Sequence, residues 1–427
     1  MTETVRAMKI SACFQFSPAG LLPPMLSLEH ATELLLSSVQ TLPEETLPVD
    51  ESIRRILSRP AVATIPLPPF DNSAMDGYAL RAADTESATS SNPCTLTVVG
   101  ETPAGQTFPS PLQPGQCVRV FTGSALPPGA DTVVMQEDTQ REEAAGQISI
   151  RIHERIPPWD NLRFAGEEIQ KASEIAPAGL RLNAATLGLL SAAGLQSVQV
   201  VKQPTVALLS SGTELRSPGT DLPPGCIYES NRIMLTPLIQ AAGGKIVRSD
   251  LRADDPETIA QFFLTAMGDA DVIVTSGGVS VGTYDLLQPA FESVGGKVHF
   301  WKVAMKPGKP FVHGTFGGKH WFGLPGNPVS AFVTFLLLVR PALLRMQGAT
   351  EISLPVSWGR ASTAISNRGD RRHFLRVRLQ PDGTFTPAAA QRSSNLASLA
   401  DSNALLDLPP NTVLPAGELT KLTLLSL

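Results

Sequence analysis

The chain has 427 residues, roughly three average domains' worth. Its 34 basic and 39 acidic side chains leave a net charge of −5, with no run of like charges. This excludes a protein that works chiefly by laying a basic face on nucleic acid or an anionic membrane, and 42% hydrophobic with 17% charged residues excludes a disordered chain.

Cys13, Cys94, Cys117 and Cys226 are far apart and form no C-x-x-C pair, which argues against a disulfide framework or zinc site and for reduced cytosolic thiols. The six histidines lack H-E-x-x-H spacing. Residues Met1 to Gln15 have neither the apolar core nor the cleavage site of a secretion signal. The longest strongly apolar stretch, Val329 to Val339, is well short of the ~20 residues of a membrane span. A cytoplasmic, multidomain globular protein is expected, with no role for nucleic acid or membrane.

In chain order, residues 1–23 read as a loosely ordered lead-in. Leu28, Ala31, Leu35 and Val39 recur at helical spacing, and Ile53, Ile56 and Leu57 suggest a second helix. The step Ile65-Pro66-Leu67-Pro68-Pro69-Phe70 ends helical character. Short strands follow at Leu96–Val99, Cys117–Phe121, Thr132–Met135 and Gln147–Ile152, which predicts a β-rich module.

From about residue 204 strands alternate with amphipathic helices. Thr205–Leu209, Lys245–Val247, Asp271–Thr275 and Lys297–Trp301 read as strands. Met234, Leu235, Leu238, Ile239 and Ala242 form a helical stripe. Ile259, Phe262, Phe263, Ala266 and Met267 form another, capped by Asp255 with Pro256 in the first turn. A third stripe runs through Leu286, Leu287, Ala290, Phe291 and Val294. The alternation predicts a doubly wound, mostly parallel α/β domain. Beyond residue 350, Phe374–Leu379, Phe385–Pro387, Leu405–Leu408 and Leu419–Leu425 predict a small β-barrel or sandwich. The fold class is thus multidomain α/β plus β, with two β-rich domains flanking the central α/β layer.

Ligands of an open parallel sheet bind beyond the carboxyl ends of its strands, and the unusual polar residues fall there. Glu214 follows the first strand, Asp254 the second, and Asp285 lies past the Gly-rich loop after the third. Lys302, Lys306 and Lys309 follow the fourth, and Pro325-Gly326-Asn327-Pro328 opens a helix. Three carboxylates beside lysines and helix-terminal amides suit a phosphate ester with a divalent metal such as Mg²⁺. Taken singly, each has a plainer explanation: Asp254 and Asp255 as helix caps, Glu214 as a solvated charge, Ser276-Gly277-Gly278 as a tight turn. Gly278-Val279-Ser280-Val281-Gly282 also matches the G-x-S-x-G elbow of serine hydrolases. The strand ends too early for a sharp elbow, however, and nothing selects a partner among His299, His313, His320 and His373.

Four segments carry a more specific signal: Phe70-Asp71-Asn72-Ser73-Ala74-Met75-Asp76-Gly77-Tyr78-Ala79, Ser276-Gly277-Gly278-Val279-Ser280-Val281-Gly282, Lys306-Pro307-Gly308-Lys309-Pro310, and Gly323-Leu324-Pro325-Gly326-Asn327-Pro328-Val329-Ser330-Ala331. In this order they make the chain, from about Leu26 onward, resemble the molybdopterin molybdenumtransferases of the MoeA type, similar also to the E domain of gephyrin. The resemblance implies insertion of molybdate into the dithiolene of adenylylated molybdopterin, with Mg²⁺-dependent cleavage of the pyrophosphate link and release of AMP. It implies an elongated N-terminal domain (24–69 and 163–203), a β-rich domain (70–162), the α/β domain (204–350) and a C-terminal β domain (351–427).

By the same resemblance the protein is a homodimer, and Asp71 and Thr122 approach the cleft from the second subunit. Glu214 and Asp285 match the family's metal-binding acids, and Asp254 its third essential carboxylate. Ser210, Lys302 and Lys306 match positions that hold phosphates and the dithiolene region. Ser276, Gly277, Gly278, Lys309, Pro325, Gly326, Asn327 and Pro328 lie in the shared substrate-binding motifs, while Arg371 and Ser393 face the cleft. The molybdopterin adenylyltransferase and downstream molybdoenzymes or their chaperones are the implied partners.

The chain departs from the pattern at Glu168 and Glu229, where an Asp is more usual, at Ala253, where an Arg is often found, and at Arg392, where Gly is common. The longer carboxylates displace a charge by about one C–C bond, so no role is assigned to them. Two other classes compete: a scaffold of the same fold without chemistry, as the gephyrin likeness permits, and a hydrolase sharing only the α/β domain, including one using Ser280. Retention of the acids and lysines argues against the first, and the Asp71 and Thr122 segments argue against the second.

Overall fold

The computed structural model describes residues 25–278 and 286–425. The chain divides into two compact units, one formed by residues 41–202 with 347–351, the other by the remainder.

The first unit contains a six-stranded sheet in the order Thr132–Met135, Gly77–Leu80, Gln116–Val120, Cys94–Thr102, Gln147–Ile152, Thr139–Ala144. Tyr78, Leu96, Cys117, Val134 and Ile150 fill one side, and Ala79, Val118, Val120 and Val133 the other. This alternation of successive side chains between faces is the signature of a two-sided sheet. All four expected strands are present. Gly77–Leu80 is buried on both faces, so it carried no alternating pattern to read. The rest of the unit pairs Glu44–Pro48 with Ser197–Val201 and Ala61–Val62 with Glu174–Ala176, beside the helix Ala184–Ala192.

The helix expected around Ile53–Leu57 does not form. A 3-10 turn covers Val49–Glu51, Arg54 takes φ +62°, and Ile56 and Leu57 bridge to Arg181 and Val200. The left-handed Arg54 ends any helix there, and the three apolar residues are spaced as for a helix only by coincidence.

The second unit holds the α/β layer. In chain order its elements are β1 (Thr205–Ser211), α1 (Asn231–Ala241), β2 (Lys245–Arg252), α2 (Pro256–Asp269), β3 (Val272–Ser276), α3 (Leu287–Ser293), β4 (Lys297–Lys302), β5 (Pro310–Phe316), β6 (Lys319–Leu324) and α4 (Pro328–Met346). The sheet order is β2-β1-β3-β6-β5-β4. The first three pairings are parallel, whereas β5 lies antiparallel to both β6 and β4. The sequence reading therefore missed the hairpin β5–β6 and read β4 only as one more strand of the layer. The hairpin instead inserts β6 beside β3 and moves β4 to the edge.

The core beside this sheet gathers Phe263, Phe291 and Trp321, whose rings meet at 4.6–5.3 Å, distances at which aromatic pairs attract beyond their buried area. Helix α2 starts as expected: Asp255 Oδ2 accepts from Thr258 N at 2.9 Å and Pro256 occupies the first turn. The helix α4, continuous through a π-turn at Phe335–Val339, is long and apolar enough to cross a membrane by length and composition, yet 78% of its apolar window is buried inside the protein. It reads as a core helix.

The C-terminal segment closes on itself. Strands β7 (Val356–Ala361), β8 (Arg372–Leu379), β9 (Thr384–Pro387), β10 (Ala404–Leu408) and β11 (Leu419–Leu424) pair in the cycle β8-β9-β7-β11-β10-β8. Of barrel and sandwich, the barrel is what forms. Met305–Lys306 adds to its β8 edge, with Lys306 opposite His373, so the loop that leaves β4 is tied to the barrel.

Candidate functional site

The carboxyl ends of β1, β2, β3 and β6 lie on one side of the sheet, because these four strands run parallel. Their loops enclose a cavity of about 570 Å³ lined by Ser210, Glu214, Glu229, Asn231, Asp254, Ser276 and Gly326, among others. Its floor depends on glycine. Gly277 has φ +94°, and a Cβ there would stand 2.2 Å from the Ser211 carbonyl oxygen, so no side chain fits.

A web of hydrogen bonds fixes the walls. Asn231, at the start of α1, donates from Nδ2 to Ser276 Oγ at 2.8 Å and to the Gly326 carbonyl at 2.7 Å. Ser276 Oγ donates to the Pro325 carbonyl at 3.2 Å. Ser210 Oγ donates to Glu229 Oε1 at 2.9 Å, and the same oxygen accepts from Arg232 N at 2.5 Å. Glu229 is only 2% exposed. Its extra methylene over Asp is thus accommodated inside the wall, where it ties the end of β1 to the first turn of α1.

Several polar atoms of this wall remain buried without a hydrogen bond of good geometry: Ser211 Oγ, Asn231 Oδ1, Asp254 Oδ1 and Glu229 Oε2, the last ion-paired with Arg232 Nε at 3.6 Å. Such atoms are costly unless something else satisfies them. Burial pushes the Asp254 carboxyl above its ordinary range; the Ser211 hydroxyl and the Thr213 backbone N–H oppose this, and the nearby Glu214 charge adds to it. Two acids expected from the sequence therefore meet. Asp285, the third, lies outside the described residues, as does Ser280. Among the described residues, no group of three or more His, Cys, Asp and Glu could hold a metal ion.

A second cavity, about 720 Å³, adjoins the first and shares Pro310, Pro325, Asn327 and Ser394 with it. Lys306, Lys309, Arg371 and Arg392 line it together with Ser393. Arg371 Nη1 donates to the Met305 carbonyl at 3.2 Å, and Val329 N, in the first turn of α4, donates to the Ser393 carbonyl at 3.1 Å. Burial, then the charges of Lys306, Arg376 and Arg371, push the neighbouring His373 down to about 4. This cavity is cationic.

Not every expected residue arrives there. Lys302 lines neither cavity; its Nζ sits 4.4 Å from the centre of the Trp301 ring, because β4 is the edge strand. Asp71 and Thr122 belong to the other unit, where Asp71 Oδ1 accepts from Ala165 N at 2.7 Å and Thr122 donates through N and Oγ1 to Asp76 Oδ1 at 2.7 and 2.9 Å. No described histidine lines either cavity. His313 and His320 face each other at 3.2 Å and His299 bonds Thr315.

Sequence reasoning missed Ser211, Glu229 and Asn231. The run Tyr228-Glu229-Ser230-Asn231 between a strand and a helix was the available signal, since polar residues there meet a sheet's carboxyl edge.

The second unit thus combines an α/β domain, with an acidic cavity at its strand ends, and a barrel, with a cationic cavity beside it. Family models match nearly the whole chain: MoeA N-terminal region (domain I and II) over residues 26–194, probable molybdopterin binding domain over 207–345, and MoeA C-terminal region (domain IV) over 359–425. The chain belongs to the molybdopterin molybdenumtransferase family of the MoeA type. It is 36% identical over 395 residues to molybdopterin molybdenumtransferase 2 of Mycobacterium tuberculosis, covering 91% of this chain and 96% of that one. It is 35% identical over 398 residues to the molybdopterin molybdenumtransferase of a Nostoc species, covering 90% of each. The molybdopterin biosynthesis MoeA protein of Pyrococcus horikoshii, at 30% identity, superposes with a TM-score of 0.81 over 94% of this chain and all of that one.

Proposed function

We propose that this protein inserts molybdate into the dithiolene of adenylylated molybdopterin, cleaving the pyrophosphate link with Mg²⁺ and releasing AMP. The observation that carries the reading is the juxtaposition of an acidic cavity and a cationic one across a shared wall. The acidic cavity takes the phosphate end of the substrate, and the cationic cavity takes the oxyanion.

The acidic donor set fits a hard divalent cation, because Glu214 and Asp254 offer carboxylate oxygens in one cavity and Asp254 Oδ1 is buried without a hydrogen bond of good geometry. Glu214, with Asp285, would hold Mg²⁺, which when bound offsets phosphate charge and makes phosphorus more electrophilic. Asp254, with its pKa raised by burial, is suited to accept a proton from the water that attacks phosphorus. Asn231 and Ser276 orient the substrate. Lys306, Lys309 and Arg371 balance the molybdate dianion beside the dithiolene. The protein acts as a cytoplasmic homodimer, with Asp71 and Thr122 reaching the cleft of the second subunit. It receives its substrate from the molybdopterin adenylyltransferase and passes the product to molybdoenzymes or their chaperones.

The test is to mix protein, Mg²⁺, molybdate and adenylylated molybdopterin, then measure AMP and metal-loaded cofactor. Formation of both is expected. Binding of substrate with no AMP over hours favours the inactive scaffold instead.

A further inference from the structure

Arg376, on β8, is fully buried. It has no acidic partner among the ion pairs of the described residues. Its Nε donates to Ser398 Oγ at 2.9 Å, and its Nη2 donates to the carbonyls of Ala390 at 2.7 Å and Arg392 at 3.2 Å. Nη1 is buried with no partner. The backbone of the same residue binds the same strip: Arg376 N donates to Gln391 Oε1 at 3.1 Å, while Gln391 Nε2 and Ala388 N donate to the Arg376 carbonyl at 2.8 and 2.9 Å.

These bonds converge on residues 388–398, the segment that supplies Gln391, Arg392, Ser393 and Ser394 to the cationic cavity. The segment has no regular structure until the short helix Leu396–Ala400, so Arg376 takes the place of a sheet ladder in holding it. A guanidinium satisfied only by neutral oxygens is also an uncompensated buried charge, which is normally expensive. Burial pulls its pKa below the usual arginine range, but an arginine stays protonated.

We propose that Arg376 is a positioning residue of the cationic cavity: it clamps the strip 388–394 that forms one wall, and its unneutralised charge has the bound oxyanion as its counter-charge. The inference rests on the reading of that cavity as an oxyanion site and adds a residue that does not line it. A fold that needed only a clamp could use a neutral side chain; a buried cation next to an anion site performs both tasks, since in a low-dielectric wall a charge acts over several ångströms.

The experiment measures binding of molybdate alone to the full chain by equilibrium dialysis across a range of ionic strengths. The proteins compared are the unsubstituted protein, Lys306→Ala, Arg376→Lys and Arg376→Gln. Arg376→Gln is expected to weaken binding about tenfold and to flatten its salt dependence, while Arg376→Lys, which keeps the charge, recovers to within about threefold. Unchanged affinity in a folded Arg376→Gln protein overturns the proposal. So does equal weakening by Lys and Gln with the original salt dependence, which would mean a purely structural clamp. If Arg376→Gln does not fold, Gln391→Ala frees the strip while keeping the guanidinium. A drop of about threefold with the salt dependence intact then supports the clamp, and no change overturns it. If Lys306→Ala binds molybdate as the unsubstituted protein does, the oxyanion reading itself has failed, a result separable from failure at Arg376.

Discussion

The acidic and cationic cavities share a wall, yet they are assembled differently. The acidic one is made from the ends of β1, β2 and β3 with the Pro325-Gly326-Asn327 loop after β6, so its residues sit where a parallel sheet always presents them. The cationic one joins the loop after β4, the start of α4, Arg371 just before the barrel strand β8 and the strip 388–394. A site at strand ends follows from topology alone, whereas a site between a sheet and a barrel follows from packing. The first tolerates little backbone change; the second depends on clamps such as Arg376.

The sharpest way to break this contrast is at the acidic side. Asp285→Asn should leave the protein folded while lowering Mg²⁺-dependent AMP release by about 10³-fold; a turnover assay with parallel sizing chromatography checks it, and normal turnover would remove Asp285 from the proposed metal site. Gly277→Val should destabilise the protein by about 3 kcal/mol, because both φ and space forbid the side chain, read as a loss of denaturation midpoint. A similar bulky change at Gly383, in an open turn with nothing near its Cβ direction, should cost less.

Acid should act on the sheet through its buried imidazoles. Burial pushes His313 down to about 3 and His320 to about 4, below the ordinary 6.5. The unfolded chain therefore takes up protons that the folded chain refuses. The stability these neutral rings permit is complete above pH about 6.5 and falls as pH drops toward 4. A loss of about 2 kcal/mol for each ring, about 4 kcal/mol for the two, is expected between pH 7 and 5 in chemical denaturation, and His313→Phe should flatten that limb.

On the cationic side, Lys306→Ala should weaken molybdate binding about tenfold, while Lys302→Ala, whose ammonium lies on Trp301 away from both cavities, should change it by about threefold or less. Equal effects would erase the boundary drawn between cavity and edge strand. The smallest effect concerns stability at Asp254. Burial raises its pKa, so the folded state pays for its ionised form above that pKa, and that cost is relieved as pH falls. Asp254→Asn should thus melt slightly higher than the unsubstituted protein at neutral pH while releasing AMP about 10²-fold more slowly, as thermal scans and the turnover assay would show.

Much of this was legible in the chain itself. The Asp255–Pro256 start of α2, the strands β1 and β3, and the positions of Glu214 and Asp254 at strand ends all follow from local pattern, because capping, periodicity and strand polarity are decided by near neighbours. The hairpin β5–β6 was hidden, since β5 and β6 are almost wholly buried and show no alternation. Glu229 was discounted for its length, although the wall between β1 and α1 has room for it.

By itself, then, the sequence determined which chemical groups stand at the ends of the parallel strands and the four segments that mark the family. Only the tertiary structure decided that β4 is an edge strand that keeps Lys302 away, that the C-terminal strands close into a barrel, and that Arg376 lies unpaired behind an anion-suited wall. The division has a physical cause. Hydrogen bonds along a helix or turn span a few residues, whereas pairing partners and the neighbours of a buried charge come from chain segments tens to hundreds of residues apart, and only packing brings them together.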